Sequence, residues 1–220
     1  MNVQELDRLM SEAINDADLM GAEIPTIDLY LEQILQLVAE KNQEGSAISD
    51  RTLTKNMINN YSKDGLITPI KGKKYTKEQI VQMLVVYLLK NTLSIEEIGR
   101  VMEAIYAKED YSGKKLIHAY DKAIAIKQSQ KNRCPELVEQ IIAEEGLNTQ
   151  DGEDYFVALL AAASLSVYFR NIARAMLEEY PMPESDEEKK QREKEEKKER
   201  KAKKKAESAA AAAAKAEEEI

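Results

Sequence analysis

The chain has 220 residues, 43% hydrophobic and 33% charged, with a formal net charge of −8. Two Phe, no Trp and one Cys leave the core to Leu, Ile, Ala and Val, which favours helices and excludes an internal disulfide. The first 20 residues are amphipathic and acid-rich, so no cleavable signal is expected. The densest apolar run, 155–169, is shorter than the ~20 residues of a membrane span. These features predict a cytoplasmic protein with no membrane partner. The net charge alone argues against nucleic acid, but its distribution does not. Residues 1–50 hold 11 acids and two bases, a net −9, whereas residues 51–90 hold eight bases and two acids, a net +6. The local field, rather than the total, decides where a phosphate backbone docks.

In chain order, Val3, Leu6, Leu9, Met10, Ala13 and Ala17 fall at helical spacing and predict a first helix over 2–20, stopped at Gly21. Ile24-Pro25 breaks the chain. Thr26 or Asp28 then caps a second helix to about Asn42, with Ile27, Leu31, Ile34, Leu35 and Val38 facing inward. Gln43–Ser49 reads as a polar loop. Leu53, Met57, Ile58 and Tyr61 mark one face of a third helix, 54–64, stopped by Asp64-Gly65 with Gly in the left-handed cap and Leu66 packing back. Pro69 prevents a restart. Lys71-Gly72-Lys73-Lys74, between Leu66-Ile67 and Tyr75-Thr76, reads as the tip of a small hairpin. Thr76 with Gln79, and Ser94 with Glu97, form capping boxes that open the next two helices, and Leu93 with Ile98 adds a hydrophobic staple to the second.

Beyond residue 107, Leu116, Ile117, Tyr120, Ile124 and Lys127 share a face of a helix over 111–130. Cys134-Pro135 starts another, with Pro at its first position, Leu137, Val138, Ile141 and Ile142 inward, and Gly146 ending it. A last helix, about 153–179, is apolar on nearly every side from Tyr155 to Phe169. That pattern predicts a helix buried all round, partly against a second subunit. Pro181 and Pro183 end the globular part. Residues 184–220 hold 12 acids and 12 bases. They read as a solvated tail with i,i+4 pairs (Glu188/Arg192, Glu193/Lys197, Glu196/Arg200), a basic stretch Lys197–Lys205 and a helix-prone Ala209–Ala214. The expected organisation is 1–49 helical support, 50–107 central unit, 108–180 C-terminal helical region and 181–220 tail.

The order helix, glycine stop, basic hairpin and two capped helices is that of a winged helix-turn-helix. The segment MINNYSKDGLITPIKGKKYTKEQI resembles the MerR-type DNA-binding domain at Tyr61, Gly65, Leu66, Pro69, Gly72, Tyr75 and Thr76, and LSIEEIGRVM resembles that domain's closing helix. LTKNMINNY and the upstream IPTIDLYLEQIL resemble a nearer family, DUF1836, over roughly residues 20–125. DUF1836 is regarded as MerR-like. The resemblance implies an all-α fold with a small β-hairpin wing, a MerR-like winged helix-turn-helix followed by a C-terminal helical region, and the chemistry of a transcription factor. One departure is plain: the Arg-Tyr pair preceding the matched Tyr in MerR is Asn59-Asn60 here.

On that layout 28–42 is the supporting helix and 54–64 the recognition helix. The latter presents Thr54, Lys55, Asn56, Asn59, Asn60 and Lys63 opposite Met57, Ile58 and Tyr61. Asn pairs in bidentate fashion with adenine N6 and N7, and Lys or Thr takes phosphate or base edges. The plainer reading of these six is an ordinary polar surface. Lys71, Lys73 and Lys74 on the wing fit phosphate contacts that position without specifying; the plainer reading is edge lysines that block strand aggregation. Tyr61 and Tyr75 are placed either to hydrogen-bond phosphate or to fill the core, and the spacing of Tyr61 favours the core. His118, the one histidine, reads as a surface residue, and Cys134 as structural. With no Gly-rich phosphate loop, nucleophile elbow or zinc spacing, neither an enzyme nor a cofactor nor a metal is expected. The expected partner is double-stranded DNA, bound by a homodimer. A protein-interaction module on the same scaffold is the second reading, favoured by Asn59-Asn60 and the acidic first 50 residues.

Overall fold

The computed structural model describes residues 2–43, 53–181 and 194. The chain divides into two units, Met1–Pro181 and Met182–Ile220. All that follows belongs to the first. The polar loop after Gln43, Arg51, and the charge pairs and basic stretch expected beyond residue 183 lie outside the described residues.

The described part is mostly helical, with one small antiparallel sheet: α1 Val3–Ile14, a 3-10 turn Gly21–Glu23, β1 Leu29–Tyr30, α2 Leu31–Gln43, α3 Lys55–Lys63, β2 Lys74–Tyr75, α4 Lys77–Leu89, α5 Ile95–Tyr106, α6 Gly113–Glu144 and α7 Gly152–Glu178. Local capping chemistry sets most of the starts. The Thr76 hydroxyl accepts from Gln79 N–H at 3.3 Å while Gln79 Oε1 accepts from Thr76 N–H at 3.0 Å. Ser94 and Glu97 repeat this at 3.2 and 2.6 Å. Gly65 adopts φ +71°, and Leu66 N–H returns to Tyr61 C=O at 2.9 Å, a glycine-stopped helix end.

The core lies around α4, whose Ile80, Val81, Met83 and Val86 are fully enclosed, and it draws on residues from Leu19 to Ile124 without a break. It therefore crosses the expected boundaries at 49/50 and 107/108. α4 packs against α6 and α3, and α6 in turn receives α1 and α7.

Five expectations are corrected. First, α1 ends at Ile14, not at residue 20, because Asp16 and Asp18 turn away to meet Lys127 and Lys131 of α6. Lys127 bonds Asp16 and, at 2.5 Å, Asp18, and Lys131 bonds Asp16 at 3.1 Å. Second, neither Thr26 nor Asp28 caps α2; Tyr30 N–H donates to Gln33 Oε1 at its start, and Ile27 is 68% exposed. Third, β2 does not pair with Leu66-Ile67. Its partner is β1, with Leu29 opposite Tyr75 and Tyr30 opposite Lys74, while Leu66 and Ile67 are buried core. Fourth, the chain does not break at Pro135. α6 runs through it for 32 residues to the Gly146 stop. A proline inside a helix forfeits one backbone bond and strains the turn before it. Here the turns before Pro135 are held by Lys127 and Lys131, and α7 packs along α6.

The fifth correction concerns α7. It is not buried all round: only Ala158 and Leu177 are buried, while Phe156, Val157, Leu159, Leu160, Val167, Tyr168, Phe169, Ile172 and Met176 are exposed. It is also the one helix among the described residues long and apolar enough to cross a membrane by length and composition, where the shorter run 155–169 had predicted otherwise.

Candidate nucleic-acid interface

The candidate interface starts from α3. Thr54 caps it, accepting from Met57 N–H at 3.3 Å, and four apolar side chains fix its roll. Leu53 is buried beside it, Ile58 and Tyr61 are buried within it, and Met57 is half-buried. With that side committed to the core, Lys55, Asn56, Asn59, Asn60 and Lys63 occupy one continuous arc of the helix, all exposed, and Thr54 is exposed at its start.

The second part is the turn 70–75. Lys71, Lys73 and Lys74 are exposed, and Gly72 adopts φ +83°, a left-handed conformation that lets the chain reverse between the lysines. The two-residue sheet anchors the turn. Leu29 and Tyr75 point inward as one cross-strand pair, and Tyr30 and Lys74 point outward as the next. The Lys74 ammonium lies 4.9 Å from the centre of the Tyr30 ring. None of Lys55, Lys63, Lys71, Lys73 and Lys74 forms an ion pair among the described residues. Their charge is left to solvent or a partner.

Tyr61 and Tyr75 do not belong to this surface. They are 4% and 7% exposed, and burial raises both phenol pKa values. For Tyr75, the nearby Glu32 carboxylate adds to the rise and the Ser62 hydroxyl opposes it. Their role is to seat the helix and the turn. The core alternative therefore holds for both, and the phosphate-contact alternative does not.

Three features went unread in the sequence. Tyr30 stands beside Lys74 of the turn, a pairing missed because a two-residue strand 45 positions upstream of Tyr75 carries no local signal. Glu32 places one negative charge near the turn. Beneath the turn lies a buried polar network on α4. Gln82, fully buried, accepts from Thr68 N–H at 2.9 Å and donates to Tyr111 Oη at 3.2 Å and Glu78 Oε1 at 3.4 Å. Gln79 Nε2 donates to the carbonyls of Thr68 and Pro69, both at 3.1 Å. In sequence Gln79 reads as the partner of a capping box, and Gln82 carries no signal of its own. In the fold they satisfy the backbone of a segment that has no regular structure of its own.

Elsewhere the chemistry is sparse. His118 and Cys134 are both exposed, and Cys134 sits within α6 rather than at a helix start. Among the described residues no group of three His, Cys, Asp or Glu side chains is placed to hold a metal ion.

No curated protein and no solved structure matches the chain. Residues 20–123 match the family model DUF1836, a domain of unknown function. That stretch runs from the 3-10 turn through α5 into the first part of α6 and contains every residue of the candidate interface. Residues 20–123, a little under half of the chain, are thus similar to the DUF1836 family.

Proposed function

We propose that this protein is a cytoplasmic, DNA-binding transcriptional regulator of the MerR-like winged-helix type that acts as a homodimer. The observation that carries the reading is a set of exposed side chains whose lysines form no ion pair among the described residues: the outward arc of α3 together with the lysines of the turn at 70–75. In this reading α2 supports, α3 enters the major groove, and the turn rides on the phosphate backbone. Asn56, Asn59 and Asn60 supply the base-edge contacts, and Lys71, Lys73 and Lys74 set register. The antiparallel β1–β2 pair, which brings the turn back beside the start of α2, gives the wing its base. Two copies reading two half-sites suit a palindromic operator.

A second reading, a protein-interaction module on the same scaffold, is favoured by one observation: exposed Ile27 and Tyr30 lie in and beside the strand that flanks the turn. Binding of the full chain to pooled random duplexes across a salt series decides between them. Neutralising about six phosphates gives a slope near −5 in log K against log salt. Replacing Lys73 and Lys74 with Ala is expected to flatten that slope by about 2 on all sequences. Replacing Asn59 or Asn60 instead changes which sequences are selected. Absence of duplex retention at low salt refutes the DNA reading.

A further inference from the structure

The side of α7 that faces away from α6 is not randomly apolar. Ala158 is buried and Ala161, Ala162 and Leu165 are half-buried on one side, where α7 lies along α6. On the other side Phe156, Leu160, Ala163 and Val167 fall at steps of four, three and four, all exposed. This is the a/d spacing of a coiled-coil seam. Continuing the same spacing outward reaches Glu153 at one end and Arg170 at the other, both exposed.

The seam is complementary to its own reverse. If a second α7 runs antiparallel about a two-fold axis between residues 161 and 162, Phe156 meets Val167 and Leu160 meets Ala163. At each end Glu153 of one copy then meets Arg170 of the other. Large faces small in both apolar layers, and acid faces base in both end layers. A two-fold contact demands this reciprocity, in which residue i meets j while j meets i. We infer that the bare face of α7 is the seat of a second copy of this chain, paired antiparallel through Glu153, Phe156, Leu160, Ala163, Val167 and Arg170.

A lipid bilayer is the competing occupant, and two features weigh against it. The final turns of α7 are tied to α5 by Arg174–Glu97 at 3.0 Å and Arg100–Glu178 at 3.2 Å. The stretch free of charge, 155–169, is then about 21 Å long at 1.5 Å per residue, against ~30 Å of hydrocarbon. The same seam spans about 26 Å from Glu153 to Arg170, enough for two heptads of helix pairing.

The test uses the purified full chain without DNA, so its outcome is independent of the candidate interface. Sedimentation equilibrium over 1–100 µM, a range on the order of ordinary dimer affinities, is expected to give a dimer. Ala163→Glu is expected to give a folded monomer with unchanged helical circular dichroism. Glu153→Arg and Arg170→Glu, each alone, are expected to weaken the dimer about tenfold, and the double exchange to restore it. Three results overturn the inference: a wild-type monomer throughout the range, a double exchange no tighter than the singles, or co-flotation of the chain with phosphatidylcholine–phosphatidylglycerol vesicles. In the last case lipid is the occupant.

Discussion

Gly113 opens α6 with no side chain, and the Glu78 carboxylate fills the space where one would be. A Cβ at residue 113 falls 2.0 Å from Glu78 Oε2 and 2.4 Å from its Cδ. Gly113→Ala forces Glu78 to move. A free carboxylate moves at little cost, but Glu78 Oε1 accepts from the Tyr111 hydroxyl and, at 3.4 Å, from Gln82 Nε2. Losing hydrogen bonds to a charged acceptor costs about 1.5–3 kcal/mol. Against this, Ala gains up to about 1 kcal/mol of helix propensity over Gly. The expected balance is a destabilisation of about 1–2 kcal/mol. The background then decides the cause: with Glu78→Ala already present the obstruction is gone, and Gly113→Ala should stabilise by about 0.5–1 kcal/mol. Urea unfolding followed by circular dichroism measures all four corners of this cycle. If Gly113→Ala has the same sign in both backgrounds, Glu78 is not held by its partners and the reasoning fails.

Further outcomes are expected from the same structure. Gly65 and Gly146 adopt φ +71° and +64° with open space around them, so Ala at either position costs about 1 kcal/mol from backbone strain alone, read by the same denaturation. Thr76→Ala and Ser94→Ala each remove a capping box and are expected to cost about 1 kcal/mol, additively if the two helices are independent. Burial first, and then its bond to Glu78, push the Tyr111 phenol up to about 12, and burial also raises Tyr106 and Tyr120. A raised folded pKa gives stability that is complete below the unfolded value of 10.0 and lost above it. Unfolding is therefore expected to steepen as pH climbs from 10 toward 12, seen as late tyrosine ionisation in ultraviolet absorbance; three early, normal titrations would contradict it. At the acid end, the Lys41 ammonium lowers Glu23 and the Ser94 backbone lowers Glu97. The stability these carboxylates add is present above 4.5 and falls as pH drops through their lower folded values, and Lys41→Ala should reduce the Glu23 part to what the Met20 N–H bond supplies.

Where the fold was legible in sequence, the signal was local. The boxes at Thr76 and Ser94, the stop at Gly65 and the inward face Leu53-Met57-Ile58-Tyr61 each depend on residues within four positions. The exposed arc of α3 follows from that face by elimination. What failed was decided at long range. The partner of Tyr75 is Leu29, which no turn chemistry announces. α1 stops early because two aspartates are claimed by lysines more than 100 positions away. Pro135 carries a strong breaker signal, overruled by contacts on either side of it. The helix at 152–178 looked enclosed because sequence shows only that a surface is apolar, not what covers it. The burial of Gln79 and Gln82 went unread because a buried amide and an exposed one have the same letter.

The strand pairing of Leu29 with Tyr75 has a practical consequence. The lysines of the turn at 70–75 belong, by sequence, to a stretch beginning near residue 50, yet half of the scaffold that shapes their turn is contributed by residues 29 and 30. An excised fragment starting at residue 50 would keep every lysine and asparagine of the candidate interface while leaving the edge of β2 unsatisfied. A minimal binding fragment must begin upstream of Leu29. Truncations that begin later test a misshapen turn rather than the proposed binding of DNA.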